Sequence, residues 1–306
     1  MRLADGHAHL TKLIPLGRVA ARLREAGVAA AAVMVREARE ERALELARRC
    51  PGRIWPLAGG RLFQRALQDG AHKSRAGGVR RFRGFAASWW GARGEKVFAE
   101  LGRALDRGVF RGVGEIRLQH RGYGSGVPEM KCDYDFAPDH PVILRLLETC
   151  SRRAVPVVVH LEVDVDRRAR LAAFARALQA VPRARVVWAH GGPCDAATLE
   201  RMLGQHGNLW AEIQPLVRDT YSRRVPYLRT FPPLTGPDGR LRPHWRRLWI
   251  RRAGRLLFGS DCRSAPEYGC LRVRAEDMRA LLAQVPEAAA RRIAWDNAAA
   301  LFGRPR

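Results

Sequence analysis

The chain has 306 residues, enough to bury the core of one barrel-sized domain, and no run of eighteen apolar residues that would predict a membrane helix. No secretory signal is visible at its start, so we expect no membrane partner and a cytoplasmic location. The formal net charge of +25 attracts nucleic acids, acidic surfaces or anionic substrates, although 51 of the 55 cationic residues are arginines, a skew that GC-rich codon usage also produces.

The six cysteines show neither a C-x-x-C pair nor the spacing of a disulfide framework, so we expect free thiols. Cys194 and Cys262 fall near candidate site residues. We interpret both as small buried side chains with structural roles.

The first half of the chain alternates strands with helices. Apolar runs predict strands at 1–8, 28–35, 53–58 and 110–118. Helical spacing predicts helices at 16–27, 37–49, 62–68 and 96–106. A glycine-rich, basic stretch interrupts this pattern between 59 and 95, and it contains Arg80, Arg81, Arg83, Trp89 and Trp90. A glycine-rich loop at 122–126 lacks the G-K-[ST] ending of a phosphate-binding loop, so we interpret it as a flexible connection or a lid.

The second half repeats the alternation. Strands are predicted at 157–163, 185–189, 208–213 and 255–259. Helices are predicted at 141–153, 167–179, 196–204, 275–282 and 286–301. From 214 to 255 the chain is irregular, with eleven arginines against two acidic residues, and a connection of this length is usually functional. Four aromatic residues there are interleaved with arginines, as in surfaces that stack bases: Tyr221, Tyr227, Phe231 and Trp245.

Eight strands that alternate with helices predict an α/β fold of the (β/α)8 TIM-barrel type, in a single domain with extended basic loops on the catalytic face. A doubly wound open sheet is the main alternative. The absence of G-x-G-x-x-G after the first strand weakens that alternative.

Six side chains fall where a barrel places its catalytic residues. His7 and His9 are two residues apart on the first strand, so they project to the same side. The full set lies on or just after strands one, four, five, six and eight: His7, His9, Glu115, His160, His190 and Asp261. Imidazole and carboxylate together suit zinc or another divalent first-row metal. Such a metal makes water a nucleophile near neutral pH, and Asp261 could take its proton.

Each of these residues also has a structural interpretation. A single histidine at a strand end is often a satisfied core or capping residue, Asp261 could cap a turn, and Glu115 could pair with Arg117 two residues along the same strand. We favour the metal site because all six positions coincide with one rim. The remaining histidines lack such a placement and are predicted to lie on the surface or in loops: His72, His120, His140, His206 and His244.

Over essentially its whole length the chain resembles the amidohydrolase superfamily. The motifs that carry the resemblance are D-G-H-A-H at 5–9, G-E-I-R-L at 114–118, V-V-V-H at 157–160, A-H-G-G at 189–192, F-G-S-D at 258–261 and I-A-W-D-N-A-A-A-L-F-G at 293–303. The resemblance implies a metal-dependent barrel in which His7, His9, His160 and Asp261 are ligands. It also implies that His190 is a ligand or a transition-state stabiliser and that Asp261 shuttles protons.

Two subfamilies share features with the chain. The long segment before F-G-S-D resembles the amidohydrolase-2 group, which contains hydrolases and nonhydrolytic decarboxylases. The G-E-I motif resembles TatD-type deoxyribonucleases, in which that glutamate helps to hold two metals. We therefore expect one or two divalent ions, zinc first and manganese or iron as alternatives, with two ions depending on Glu115 facing the mouth of the barrel.

Three activities are consistent with this site. The first is hydrolysis of an amide, lactone or ester bond of a small anionic molecule by a metal-activated water. The second is decarboxylation, in which Arg117 would bind a substrate carboxylate. The third is a TatD-like nuclease, which the basic loops suggest. We favour a small anionic substrate over DNA, because the helices are arginine-rich too. A catalytically inactive scaffold is disfavoured, because every expected ligand position is filled.

Overall fold

The computed structural model describes residues 1–35, 40–85, 91–121, 132–163, 167–215 and 231–303. Its strands, in chain order, are β1 (Leu3–Leu10), β2 (Val28–Val35), β3 (Ile54–Gly59), β4 (His72–Ala76), β5 (Val79–Arg83), β6 (Gly112–His120), β7 (Cys132–Asp135), β8 (Pro156–Leu161), β9 (Arg185–Trp188), β10 (Leu209–Ile213) and β11 (Leu256–Phe258).

Its helices are α1 (Leu16–Glu25), α2 (Glu41–Arg49), α3 (Gly60–Gly70), α4 (Ala92–Asp106), α5 (Pro141–Arg152), α6 (Arg167–Ala180), α7 (Ala196–Gln205), α8 (Pro243–Arg251), α9 (Ala265–Leu282) and α10 (Glu287–Arg291). They bury the apolar faces that the sequence spacing predicts, as α1 does with Leu16, Val19 and Leu23. Among the described residues, no helix has both the length and the apolar character needed to cross a membrane.

Eight parallel strands form the barrel, in the order β1-β2-β3-β6-β8-β9-β10-β11. Backbone hydrogen bonds close it between the segment after β11 and β1: His9 N donates to Cys262 O and Asp261 N donates to His7 O, each at 2.8 Å. The (β/α)8 TIM-barrel prediction is therefore confirmed. All six cysteines are free, as expected.

The core has two parts. A larger cluster fills the space between the strands and the surrounding helices. A smaller one fills the barrel interior with Ala4, Ala32, Leu57 and Val158, and Phe302 near the C-terminus packs against it. Because the strands are buried on both faces, a polar side chain that points inward near their carboxyl ends lies in a water-poor environment.

A small sheet, which begins within the glycine-rich, basic stretch between 59 and 95, extends from the barrel. β4 and β5 form an antiparallel hairpin, β5 pairs with β7, and β7 pairs with the carboxyl end of β6 through Gln119 and His120. No strand was predicted at 72–83, because β4 is exposed along its whole length and so lacks an apolar period. Trp89, Trp90 and the 122–126 loop lie outside the described residues.

A helix also stands in the segment that the sequence analysis treated as irregular from 214 to 255. α8 begins with Pro243 and buries Trp245, Leu248 and Trp249 against the barrel. Trp245 is only 4% exposed, so its ring is not available to stack on a base. Tyr221 and Tyr227 lie outside the described residues, and Phe231 lies beside His190 with ring centroids 5.7 Å apart.

Candidate metal centre

The structure brings all six predicted side chains together at the carboxyl ends of the barrel strands. His7 Nε2 and His9 Nε2 are 3.0 Å apart. Asp261 Oδ1 lies 3.2 Å from His9 Nε2, and Glu115 Oε2 lies 3.7 Å from the same nitrogen. Donor atoms of His7, His9 and Glu115 all fall within 4.8 Å of one another, close enough for one metal ion to contact all three.

A second group of donors adjoins the first. Glu115, His160 and His190 also offer three atoms within 4.8 Å of one another, and Glu115 Oε1 is 3.0 Å from His160 Nδ1. Glu115 thus faces the mouth of the barrel and belongs to both groups. This meets the condition that the sequence analysis set for two ions.

Local backbone geometry aims these residues inward. The pairing of β1 with β2 shifts register between Asp5 and Ala8, and His7 and His9, two residues apart, project to the same side of β1. His190 and Asp261 have positive φ angles of 56° and 49°, which are sparsely populated for residues other than glycine. Strain of this kind at strand ends is typical of functional sites, where the surrounding structure holds it.

The buried carboxylate of Asp5 fixes the position of β1 relative to Asp261. Asp5 Oδ1 accepts hydrogen bonds from His7 N at 3.0 Å and Ser260 N at 2.9 Å, and Oδ2 accepts one from Ser260 Oγ at 2.6 Å. Burial raises the pKa of Asp5 to about 6, against the opposing effect of these bonds. The two ends of the barrel sheet are therefore joined directly beneath the site.

Sequence reasoning missed Glu212, which is fully buried on β10. Its Oε2 atom lies 3.1 Å from His7 Nδ1 and 3.0 Å from His190 Nδ1, and it accepts a hydrogen bond from His190 N at 2.9 Å. Contacts at both Nδ1 atoms turn the Nε2 atoms of these histidines toward the centre. A glutamate inside the apolar run L-W-A-E-I was a signal in the sequence.

The prediction that His120 lies on the surface or in a loop was wrong. β6 extends two residues beyond its predicted end, so His120 is 4% exposed and its Nδ1 lies 2.5 Å from Glu162 Oε1. His206 is also buried, at 5% exposure, whereas His72 and His244 are exposed as predicted. His140 is half-buried and caps α5 by accepting a hydrogen bond from Val142 N.

Two arginines lie near the donors. The guanidinium of Arg117, the predicted carboxylate-binding residue, lies 4.7 Å from the centroid of the Tyr134 ring. Arg263, which sequence reasoning did not single out, is buried with Nη1 3.5 Å from Asp261 Oδ2 and Nε 3.1 Å from Glu267 Oε1. Arg263 therefore places a permanent positive charge beside the candidate base.

The carboxylates of the site are held in their ionised form. Burial raises the pKa of Asp261, but Arg263 and the neighbouring histidines outweigh it and hold that pKa well below its usual range. The pKa of Glu115 is likewise held well below its usual range, since hydrogen bonding and charge from His160 outweigh burial. Burial is again outweighed at Glu212, where His190 and His7 lower the pKa to about 2.

The histidines divide into two kinds. Burial lowers the pKa of His7, but the charges of Glu212, Glu115 and Asp261 outweigh it and raise the pKa to about 9. His160 follows the same pattern, because Glu115 and Glu162 outweigh burial and raise its pKa to about 9. Burial prevails at His9, whose pKa falls to about 4. His7 and His160 therefore carry protons that a bound cation would displace.

This donor set fits a divalent ion. Imidazole nitrogens and carboxylate oxygens are the ligands of zinc, manganese and non-haem iron sites, and every donor in the two groups is buried. A buried group of carboxylates is costly unless cations balance it, and a metal ion supplies that balance. The residues that would hold it are His7, His9, Glu115, His160, His190 and Asp261.

Comparisons with known proteins agree with this geometry. A family model described as "Amidohydrolase" matches residues 4–304. No curated protein matches the chain significantly. Solved structures share the fold across nearly the whole of both chains. Their sequence identities are low, so the similarity shows a shared fold and nothing more.

One of these is a probable 2-pyrone-4,6-dicarboxylic acid hydrolase from Acinetobacter baumannii with citric acid bound, which has a TM-score of 0.56, 14% identity and coverage of 99% of this chain and 100% of its own. A TatD homolog from Escherichia coli K12 has a TM-score of 0.56, 18% identity and coverage of 99% of both chains. A dihydroxybenzoic acid decarboxylase from Polaromonas with bound manganese and an inhibitor has a TM-score of 0.54, 14% identity and coverage of 100% of this chain and 98% of its own.

Proposed function

Because the chain belongs to the amidohydrolase family, we propose that it is a metal-dependent hydrolase that cleaves an amide, lactone or ester bond of a small anionic substrate with water. The observation that carries this proposal is the position of Asp261. Its Oδ1 lies 3.2 Å from His9 Nε2 and its Oδ2 lies 3.7 Å from His190 Nε2, so one carboxylate faces both donor groups.

The chain's own residues divide the chemistry among them. A divalent ion held by the donors would make water nucleophilic near neutral pH and polarise the carbonyl that is cleaved. Asp261 is ionised at neutral pH, because its pKa lies well below the usual range, so it can accept the proton that the water loses. His190 either completes the second donor group or donates a hydrogen bond to the oxygen on which charge develops.

The expected cofactor is zinc, with manganese or iron as alternatives, because all three accept nitrogen and oxygen donors. Glu115 is shared by the two donor groups and therefore supports two ions, whereas His7, His9 and Asp261 alone suffice for one. The manganese in the decarboxylase structure supports including that metal.

An anionic substrate is proposed because arginines lie on the same rim. Arg117 follows Glu115 by two residues on β6 and is half-buried, with its guanidinium over the Tyr134 ring, an arrangement from which it could bind a carboxylate. Arg263 is the second arginine on this rim, and it lies beside Asp261. The dicarboxylic acid in the name of the Acinetobacter protein suggests pyrone and aromatic carboxylates as first probes.

Nonhydrolytic decarboxylation is the second candidate. The amidohydrolase family match and the fold shared with a dihydroxybenzoic acid decarboxylase support it, and the same arginines would bind the carboxylate that leaves. In that case Asp261 would protonate the ring carbon after carbon dioxide departs, so it would have to enter the reaction protonated. The low pKa of Asp261 favours the hydrolase.

The test is turnover in ¹⁸O-labelled water. Zinc- and manganese-loaded protein would be incubated with lactones, esters, amides and hydroxybenzoates that carry a carboxylate, before and after treatment with a chelator. We expect one labelled oxygen in the product, loss of turnover with the chelator and recovery when metal returns. Carbon dioxide release without incorporation of the label would select the decarboxylase, and turnover indifferent to the chelator would contradict both.

A further inference from the structure

Two buried ionisable side chains beside the metal centre, His120 and Glu162, have no role in the reaction described above. Glu162 Oε1 lies 2.5 Å from His120 Nδ1 and 2.9 Å from His160 Nε2, and Glu162 Oε2 accepts a hydrogen bond from Arg121 N at 2.9 Å. His120, His160 and Glu162 are exposed by only 4%, 6% and 1%. Buried polar groups at such distances form a network that fixes side-chain orientation.

The side chains of this group come from two neighbouring strands. β6 carries Glu115 and His120. β8 carries His160, and Glu162 is the first residue after β8. His160 lies between the two carboxylates, with Nδ1 3.0 Å from Glu115 Oε1 and Nε2 2.9 Å from Glu162 Oε1. One ring nitrogen therefore faces the candidate metal centre, and the other faces Glu162.

A neutral imidazole has one N–H and one lone pair, and the position of the N–H is set by the acceptor it finds. A glutamate held at Nε2 keeps the proton there, which leaves the lone pair on Nδ1 for a metal. Glu162 is itself held from two sides, by the His120 ring and the Arg121 backbone.

We propose that Glu162 and His120 are a positioning pair, which fixes His160 as the Nε2–H tautomer with Nδ1 directed at the metal centre. This inference rests on the proposed metal-dependent function. It differs from a ligand role, because neither residue would touch the ion or the substrate. Partners of this kind usually change metal affinity by 10- to 100-fold when removed.

The main competing role for the group is a cation site of its own, since its donor atoms lie within 4.8 Å of one another. That role would require His160 to use both ring nitrogens as ligands, one toward each ion, and so to lose its last proton. The positioning role needs no such deprotonation, and we therefore favour it.

The test compares variants of the full-length zinc-loaded chain. His120→Phe removes the ring N–H that reaches Glu162, whereas His120→Asn keeps an N–H donor near the place of Nδ1. Glu162→Gln replaces the carboxylate with an amide of the same shape. His206→Asn is the matched control, because His206 is a buried histidine at the end of α7, away from the site.

Zinc affinity would be measured by competition with a chelator, and the His160 ring nitrogens by ¹⁵N NMR, with the His160 signal assigned from His160→Gln. In wild type we expect a proton on Nε2 and zinc on Nδ1. His120→Phe and Glu162→Gln should weaken zinc binding about 10- to 100-fold and shift or broaden the ¹⁵N resonances of the His160 ring. His120→Asn should show zinc affinity and His160 resonances close to those of wild type. His206→Asn should match wild type, and thermal unfolding checks that all variants fold.

Three results would overturn the inference and leave the proposed function standing. Zinc affinity unchanged in both His120→Phe and Glu162→Gln would remove the positioning role, and a zinc-bound Nε2 in wild type would contradict the tautomer. Loss of an entire ion in His120→Phe, with the remaining ion bound as in wild type, would mean that the group is itself a metal site. A wild-type chain that binds no zinc would overturn the proposed function as well, which separates the two failures.

Discussion

Asp261 contacts more of the candidate site than Glu115 does, since its two oxygens lie within 4 Å of His7, His9, His190 and Arg263. Its backbone φ of 49° lies in the left-handed region, which aspartate and asparagine both tolerate. Asp261→Asn should therefore keep the fold while removing the base.

For Asp261→Asn we expect kcat/KM to fall by at least about 10²-fold, because removal of a general base typically costs 10²–10⁴-fold. Asp195→Asn is the control, since Asp195 caps α7 through a bond from Thr198 N that asparagine can also accept. The measurement is steady-state kinetics of both variants on the substrate that the labelled-water experiment identifies. Turnover close to wild type in Asp261→Asn would remove this residue from the chemistry.

The protonation of His7 and His160 gives a second prediction. Each has a pKa of about 9, so each carries a proton at neutral pH that a metal ligand must lose. Zinc added to the metal-free chain should therefore release protons, and its apparent affinity should rise with pH until about pH 9 and then level off. Calorimetry in buffers of different ionisation enthalpy counts these protons. Binding at pH 7 without proton release would contradict the assignment.

The side chains that stand at the strand ends could be predicted from the sequence. The H-x-H motif, the later histidines and the aspartate lie at or just after apolar runs in a barrel pattern. Glu212 and Glu162 were not predicted, because no sequence spacing marks a carboxylate that contacts a metal ligand, and the charged residue inside the apolar run L-W-A-E-I was the signal that could have found Glu212. Whether such a residue touches a histidine depends on how neighbouring strands pair, which one sequence does not specify.

At the scale of elements, β10 and β11 hold Glu212 in place through close packing at Gly259. A Cβ atom at Gly259 would lie 2.2–2.3 Å from Glu212 Cγ, Cδ and Oε1, closer than any real contact allows. Gly259→Ala should displace Glu212 from His7 and His190, weaken zinc binding and cost about 1–3 kcal/mol of the free energy of unfolding, as overpacking does.

Gly254→Ala is the matched control, because nothing lies within 4 Å of a Cβ atom at Gly254. Chemical denaturation and chelator competition would be run on both variants. Zinc affinity in Gly259→Ala equal to that in Gly254→Ala would show that the position of Glu212 does not matter for binding.

Element prediction succeeded where burial imposes an apolar run or an apolar period and failed where it imposes neither. β2 was predicted with the bounds that the structure shows, because all but one of its residues are buried. The exposed strand β4 carries only polar residues before its final alanine and had no period to detect. α8 had a detectable signal, with a proline at its first position and apolar residues at 245, 248 and 249, but its arginines obscured it.

At the scale of the whole molecule, the net charge of +25 remains to be explained. The β4–β5 hairpin joins the carboxyl end of β6 through β7, so its exposed cations stand on the same rim as the metal centre. Arg75, Arg80 and Arg83 are among them. This placement suits recruitment of any anion by long-range attraction.

We expect duplex DNA to bind weakly and to dissociate steeply as salt rises, by about 10³-fold or more between 50 and 200 mM if six or more phosphates are contacted. We also expect the manganese-loaded protein to leave plasmid DNA uncut. Filter binding across a salt series and gel analysis of the plasmid would test both. Cleavage that disappears in Asp261→Asn would favour the TatD-like nuclease over a small-molecule hydrolase.

The central claim is that one rim of the barrel holds divalent metal through His7, His9 and their partners. Elemental analysis of the purified chain after saturation with zinc and removal of the excess tests it most directly. Wild type should retain one or two ions per chain, and His7→Ala should retain far less while unfolding with a similar cooperative transition, with His72→Ala as the control for an exposed histidine. Full metal content in His7→Ala, or none in wild type, would contradict the account.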